Sequence, residues 1–326
     1  MSGEGKCLTE EVSQDQILSI MQDLFGKQTE IADCSPILGG HYNQLFDITV
    51  KNPARHVVLR VAPGDDRPLR RYEQTMMLAE PYVYNYIRQA GVPTIDILKV
   101  DGSRSIIDRD YIVMDYIDAV QMNHPSVPEE VHPRIMQDVG RYTAMIHGVT
   151  EEKFGWVMPD GSIRGSKSWT EVFGELMVET YDNCKNAEII TADEAAAALD
   201  CYHKYRAAFD ECKVPALIHN DIWAPNIMVK EIDGEWQIVA IIDADRALFA
   251  DREFEFVLYD NPNPDFMLGY GIPPDTSENA MIRKKFYRMQ LYMQYSWFYL
   301  VMTPSPSFQP VARKIAMDTL QELLDL

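Results

Sequence analysis

Apolar and polar positions follow two rhythms along this chain, and the change from one to the other divides it. Near the start, Val12, Ile17, Leu18, Met21, Leu24 and Phe25 recur on one broad face, which predicts a helix over Glu10 to Phe25. A β-rich stretch follows. Ile37 to Val50 reads as strand, turn and strand, and Val57 to Val61 as the next strand. A helix from Tyr72 to Ala90 is stopped by Gly91-Val92-Pro93, and Ile95 to Val100 and Tyr111 to Met114 supply two further strands. From Pro133 onward the spacing turns helical, first at Ile135, Met136, Val139, Tyr142, Met145 and Ile146. Further helices are predicted at Trp169 to Asn183, Ala192 to Cys212 and Arg283 to Met302. The fold class expected is α+β and bilobal: a small, mostly antiparallel β-rich lobe over residues 1–114, a hinge at 115–119, and a larger helical lobe over 120–326.

One segment interrupts the helical half. Leu217-Ile218 and Ile227-Met228-Val229 are short apolar runs that bracket the polar turn His219 to Asn226. A second β-rich run, Trp236 to Ile242, is separated from them by a stretch containing Asp233-Gly234, a strong hairpin signal. Such a hairpin brings Asp243 back toward Asn226. The pattern His-x-Asp-x-x-x-x-Asn followed by a strand-borne Asp places a carboxylate and a carboxamide at opposite ends of a loop, with a second carboxylate arriving from elsewhere. Phosphoryl transfer uses that set, because its loose transition state needs alignment and charge neutralisation more than covalent help. Asp221 is the candidate base or orienter. Asn226 and Asp243 are the candidate ligands of Mg²⁺, a hard cation that prefers oxygen.

Composition narrows the function classes. The chain has 326 residues, 46% apolar and 25% charged, as expected for an ordinary globular protein with a large core. A formal net charge of −20 argues against a partner gripped by its nucleic-acid phosphates. The five cysteines are scattered without Cys-x-x-Cys spacing, so neither a disulfide framework nor a zinc site is expected. Neither an apolar signal region in Met1 to Glu11 nor a run of membrane-spanning length is found, and a cytoplasmic location is the expectation.

Several of these residues together resemble a known family. The glycine turn Leu38-Gly39-Gly40-His41-Tyr42-Asn43, the strand Val57 to Val61, the helix around Glu80, the catalytic segment, and Ile241-Ile242-Asp243 through Asp251-Arg252-Glu253-Phe254-Glu255-Phe256 are similar to the aminoglycoside phosphotransferase and choline kinase family. That resemblance implies a protein-kinase-like fold and a nucleotide, ATP or GTP, bound with Mg²⁺. It implies that Gly39, Gly40 and Asn43 form the turn over the phosphates. Arg60 falls at the basic phosphate-binding position, where many kinases have Lys, and Glu80 at its helical partner, with Glu73 as a rival. Met114, Asp115, Tyr116 and Ile117 fall at the hinge that meets the base through backbone groups. Asp221 takes the acceptor proton, His219 orients the loop by a hydrogen bond, and Asp251 and Glu255 brace it. For Asp245 two readings stand, a further metal contact or a solvent-facing carboxylate.

The acceptor expected is a small hydroxyl compound. Asn220 replaces the Arg of His-Arg-Asp, no Ala-Pro-Glu follows Asp243, and no long activation segment intervenes before Asp251, all of which count against a protein kinase. Trp156, Trp169, Tyr270, Tyr292, Tyr295, Trp297 and Tyr299 lie where the family builds acceptor pockets, and aromatic faces can hold an ammonium group. An amino-bearing acceptor, such as an aminoglycoside-like antibiotic or an amino alcohol, is therefore favoured. Macrolides, sugars and other hydroxylated metabolites stay open, as does a noncatalytic nucleotide-binding module, and the oligomeric state is not indicated.

Overall fold

The structure, a computed structural model, describes residues 12–38, 43–64, 68–258 and 263–326. Helix α1 spans Gln14–Phe25 and is started by a capping box, in which the Ser13 side chain and that of Gln16 satisfy each other's backbone N–H. Strands β1 (Glu30–Ile37), β2 (Gln44–Asn52) and β3 (Arg55–Val61), helix α2 (Met76–Gln89), and strands β4 (Ile97–Asp101) and β5 (Tyr111–Asp115) complete the N-terminal region. The sheet is antiparallel in the order β1-β2-β3-β5-β4. Alternation along β3 assigns its faces: Val57, Leu59 and Val61 join Ile17, Ile20 and Met21 of α1 in one buried cluster, and Val58 and Arg60 point the other way.

The rest of the chain is mainly helical. In order come β6 (Val120–Gln121), α3 (His132–His147), β7 (Phe154–Val157), β8 (Ile163–Ser166), α4 (Trp169–Asn186), α5 (Ala192–Phe209), β9 (Ala216–Ile218), β10 (Ile227–Ile232), β11 (Glu235–Ile241), β12 (Leu248–Ala250), α6 (Pro264–Tyr270), α7 (Glu278–Val301) and α8 (Gln309–Leu324). Two small sheets sit among the helices, β11-β10-β6 and β8-β7-β12-β9. The expected hairpin is β10–β11. Asp233 and Gly234 both take positive φ, 52° and 82°, the backbone that a tight two-residue hairpin turn requires. A bulge interrupts its register, since Met228 pairs with Ala240 but Val229 with Ile238, leaving Val239 as the additional residue.

The largest buried cluster packs α4, α5, α7 and α8 around Trp169, Phe173, Tyr287 and Phe286. A further cluster crosses from the N-terminal region to the C-terminal one, joining Val83, Tyr84 and Ile87 of α2 and Met114 of β5 to Ile135 and Val139 of α3, Leu217, Ile227 and Val229. Helices α3 and α6 approach at two glycines: a Cβ on Gly140 would lie 2.0 Å from the Phe266 carbonyl oxygen, and one on Gly269 1.8 Å from that of Gln137. Among the described residues no helix is long and apolar enough to cross a membrane.

Several elements differ from the sequence expectation. Helix α2 begins at Met76, not Tyr72, because residues 71–75 form turns. Strand β1 begins well before Ile37. It is an exposed edge strand containing Pro36, whose missing N–H an edge tolerates.

Candidate active site

Arg60, on the face of β3 away from α1, is buried and forms an ion pair with the fully buried Glu80 of α2. Its Nη1 also lies 3.3 Å from Asp243 Oδ1 and 4.0 Å from Asp245 Oδ2. Glu73, the rival partner, is occupied elsewhere: its Oε1 and Oε2 accept from Arg70 Nε and the Arg70 backbone N–H, each at 2.8 Å. A lone buried guanidinium would be costly to desolvate, and the three carboxylates around Arg60 supply the counter-charge.

Asp221 lies in the loop between β9 and β10. Asn226, at the end of a 3₁₀ turn that starts at Ala224, donates from Nδ2 to the Asp221 backbone oxygen and to its Oδ2, both at 2.9 Å. Arg246 Nη1 donates to the other carboxylate oxygen at 3.2 Å, so both oxygens of Asp221 are held. Burial pushes the Asp221 carboxyl above the ordinary aspartate range, with Arg246 opposing and Asp243 adding to the rise. The loop backbone is held from behind. Glu255 accepts the N–H of His219 at 2.6 Å and that of Asn220 at 2.9 Å. Asn220 has φ 60°, a left-handed conformation that Asn adopts more readily than most residues. His147 Nε2 stands 3.3 Å from Glu255 Oε2, and its Nδ1 is 2.8 Å from the Tyr270 hydroxyl.

Asp243 lies two residues beyond the end of β11. The Ile242 N–H donates to the Asn226 carbonyl at 3.0 Å, which joins the two candidate ligands through the backbone. Its own N–H donates to the Tyr84 hydroxyl at 2.9 Å, and its φ is 62°. The Asp243 side chain is 44% exposed and that of Asp245 only 10%. Burial first and Asp243 second push the Asp245 carboxyl up to about 7, against the pull of Arg60. Asp245 therefore faces the Arg60 pocket, and the solvent-facing reading is set aside.

Two other expectations change. The His219 ring is fully buried, and neither ring nitrogen has a hydrogen-bond partner among the described residues, so His219 orients nothing through its side chain. It is the backbone N–H that Glu255 holds. Asp251 does not brace the loop either: its Oδ2 accepts from Arg283 Nε at 3.0 Å and from the Tyr287 hydroxyl at 2.7 Å, which fastens it to α7.

At the expected hinge, the Asp115 N–H donates to Asp96 O at 2.9 Å and the Tyr116 N–H to His56 O at 3.1 Å, while Ile117 O accepts from Ala119 at 2.8 Å. The Ile117 N–H has no backbone partner among these bonds, and Met114 is buried in the shared cluster. Asn43 sits half-buried just ahead of β2, whereas Gly39 and Gly40 lie outside the described residues. Of the aromatic set proposed for the acceptor, Trp169, Tyr270 and Trp297 are buried core. Tyr292, Tyr295 and Tyr299 form an edge-to-face row along α7, and Arg288 stands 5.5 Å over Tyr292. Trp156 alone of that set lines a niche beside Asn220 and Arg246.

Sequence reasoning did not single out Tyr84, His147 or Arg246. Tyr84 is legible in retrospect, since it lies four residues after Glu80 on the same face of α2. His147 and Arg246 reach the loop only through tertiary packing, and no local period marks them.

A five-stranded antiparallel sheet set on a helical body, with a buried Arg–Glu pair facing a carboxylate–carboxamide loop, defines a phosphotransferase of the kinase-like class. Residues 33–261 match the family described as the phosphotransferase enzyme family (APH), and the chain belongs to that family. Similar solved structures span almost the whole chain. A putative fructosamine-3-kinase from Thermobifida fusca is 17% identical, with a TM-score of 0.66 over 96% of this chain and 100% of that one. A thermostable mutant of the aminoglycoside phosphotransferase APH(4)-Ia, in ternary complex with ADP and hygromycin B, is 18% identical, with a TM-score of 0.67 over 94% and 98%. An ethanolamine kinase from Plasmodium vivax is 11% identical, with a TM-score of 0.58 over 94% and 86%. At these identities the likeness establishes the fold. No curated protein matches the sequence.

Proposed function

We propose that this chain is a small-molecule kinase that transfers the γ-phosphoryl group of ATP or GTP to a hydroxyl. The observation that carries this reading is the convergence of Asp221, Asn226 and Asp243 at the base of the β10–β11 hairpin, facing Arg60. In the proposed reaction the acceptor oxygen bonds to the γ-phosphorus, the bond to the bridging oxygen breaks, and the hydroxyl proton passes to Asp221. A carboxylate whose proton affinity is raised by burial suits that task better than an exposed one. Asn226 and Arg246 fix the rotation of Asp221, so that one acceptor geometry is favoured.

The donor set fits Mg²⁺. Asn226 turns its Nδ2 to Asp221, which leaves Oδ1 for a cation, and the Asp243 carboxylate is open to solvent on one side. Two protein oxygens suffice, because Mg²⁺ completes its shell with phosphate oxygens and water. Bound there, the ion would supply charge neutralisation at the nucleotide phosphates. Arg60 is proposed to meet those phosphates from the sheet side, with Glu80 holding its guanidinium. The nucleotide is proposed to lie between the N-terminal sheet (residues 1–114) and the C-terminal body (120–326), with residues 115–119 as the hinge and the Ile117 N–H as donor to the base. The similar APH(4)-Ia structure holds ADP, which supports a nucleotide as the phosphoryl donor.

Asp221→Ala tests the assignment. Acceptor-dependent ADP release is expected to vanish while nucleotide binding by calorimetry is retained, and unchanged turnover would sink it. Nucleotide binding without ADP release from the unaltered protein, across a broad acceptor panel, would point instead to a binding module.

A further inference from the structure

Asp243 has φ 62°, a left-handed backbone that few residues besides glycine adopt, although aspartate enters it more readily than most. Such a conformation persists where the surroundings fix it, and here the approach to Asp243 is tied down amide by amide. The Ile241 N–H donates to Pro93 O at 2.9 Å, that of Ile242 to Asn226 O at 3.0 Å, and that of Asp243 to the Tyr84 hydroxyl at 2.9 Å. The backbone amide of Ala244 bears on the same phenol oxygen. Main-chain oxygens take the first two amides. A side chain takes the third, at the residue with the left-handed backbone. Resting on the kinase reading above, we propose that Tyr84 is a positioning residue for the divalent cation. Through the main chain of Asp243 it sets the direction of that carboxylate, and it ties the cation site to the docking of helix α2.

Tyr84 is 2% exposed, and its ring packs in the cluster that joins α2 to Met114, Ile135 and Leu217. The hydroxyl is therefore presented from a fixed place. Phenylalanine could fill an apolar core position without a polar atom to desolvate, whereas the phenol brings one oxygen to the amide of a candidate ligand. Glu80 lies one turn earlier on the same buried face of α2 and pairs with Arg60, whose Nη1 reaches Asp243 Oδ1 at 3.3 Å. One helix face thus holds Asp243 at two points, the amide directly through Tyr84 and the carboxylate through Glu80 and Arg60. The carboxylate itself is 44% exposed, so the main chain beneath it does much of the aiming. Partners that orient a metal ligand in this way typically change metal affinity by about 10- to 100-fold when removed.

The test is calorimetry of ADP binding to the full chain, in Mg²⁺ and in EDTA, which needs no acceptor and no turnover. Mg²⁺ is expected to tighten ADP binding by the parent protein. Tyr84→Phe is expected to bind ADP about tenfold more weakly in Mg²⁺, with the affinity in EDTA changed by less than about twofold. An equal loss in both buffers overturns the inference, because Arg60 or the fold at large would then carry the effect. An unchanged gain from Mg²⁺ in a variant with the near-UV circular dichroism of the parent overturns it too, leaving the phenol as a core group that caps an amide. If Tyr84→Phe does not fold, 4-aminophenylalanine in place of Tyr84 keeps the ring and its polar edge but accepts poorly, and the same selective loss is expected. A residue that acts through Asp243 has nothing to position once that side chain is gone. Asp243→Ala, alone and combined with Tyr84→Phe, should therefore bind ADP equally well in Mg²⁺, and a further loss in the double variant counts against the inference. ADP binding by the parent that Mg²⁺ leaves unchanged overturns the inference alone. Absence of ADP binding by the parent overturns the kinase reading itself.

Discussion

Glu255 and Asn220 lie 35 residues apart in sequence, and the carboxylate of the first accepts the backbone N–H of the second at 2.9 Å. The same carboxylate takes the N–H of His219 at 2.6 Å, so one side chain holds two consecutive amides immediately before Asp221. Glu255→Gln replaces one acceptor oxygen by a donor and leaves one of those buried amides facing an N–H. The expected outcome is a fall in kcat of about 10- to 100-fold with the nucleotide KM nearly unchanged, and a loss of stability of about 1–3 kcal/mol. Steady-state kinetics alongside urea unfolding would check it; equal losses in both KM values would speak against a role in shaping the loop.

The buried pair Arg60–Glu80 makes a different prediction. Glu80→Ala strands a guanidinium in the interior and should destabilise the fold by about 3–5 kcal/mol. Arg60→Lys keeps the charge but loses the planar fork that reaches Glu80 and Asp243 together, and should raise the nucleotide KM while sparing the acceptor KM. A lysine variant with the original nucleotide KM would mean that Arg60 serves packing alone.

Asp251 should behave as a structural residue. Asp251→Ala removes the partner of Arg283 and Tyr287, and should cost about 3 kcal/mol, with Glu211 at 3.6 Å from Arg283 limiting the loss. The kcat of the folded fraction should match that of the parent. A selective collapse of kcat would instead restore the reading in which Asp251 braces the catalytic loop.

Asp243 is expected to set the divalent-ion requirement. Asp243→Asn should raise the Mg²⁺ concentration for half-maximal turnover by at least about tenfold, since ligand charge count tunes such sites. Mg²⁺ titration of ADP release checks this, and a chelator should stop turnover in the parent protein.

Gly140→Ala sets two effects against each other. Alanine is worth about 1 kcal/mol more than glycine inside a helix, but here its Cβ would lie 2.0 Å from the Phe266 carbonyl oxygen. Backbone must move to relieve that contact, at a cost of about 1–3 kcal/mol, so the net change should be destabilising. A higher unfolding midpoint would show that α3 and α6 separate freely.

Legibility in the sequence followed how local each determinant is. The β10–β11 hairpin was readable because Asp233-Gly234 specifies its own turn, and with it came the return of Asp243 to Asn226. Strand β1 was not, because an exposed edge strand shows no burial alternation. Helix α8 is weakly marked in the sequence because three of the five residues it buries, Ala312, Ala316 and Thr319, are small or polar, and only Leu320 and Leu323 near its end are large and apolar. At the site the candidate carboxylates and Asn226 stood out, as did Glu80. The mutual arrangement of Glu255, His147 and Tyr270 was invisible, since it is built from segments that meet only after folding. His219 misled for a related reason: its position suggested a hydrogen-bonding ring, while the contact that matters belongs to its main chain.

The bulge at Val239 turns chain length into a catalytic parameter. Cross-strand partners share a face, so deleting this single residue would keep Ala240 opposite Met228 and remove the local bend and extra twist that the bulge gives the strand. The strand end that carries Ile241 into the buried cluster and Asp243 toward Asn226 would then leave at a different angle, with every residue of the site still present in the sequence. Substitutions at Val239 that keep the count should be tolerated far better than its removal, which makes the spacing from Asn226 to Asp243, and not the identity of the intervening residues, the quantity under constraint.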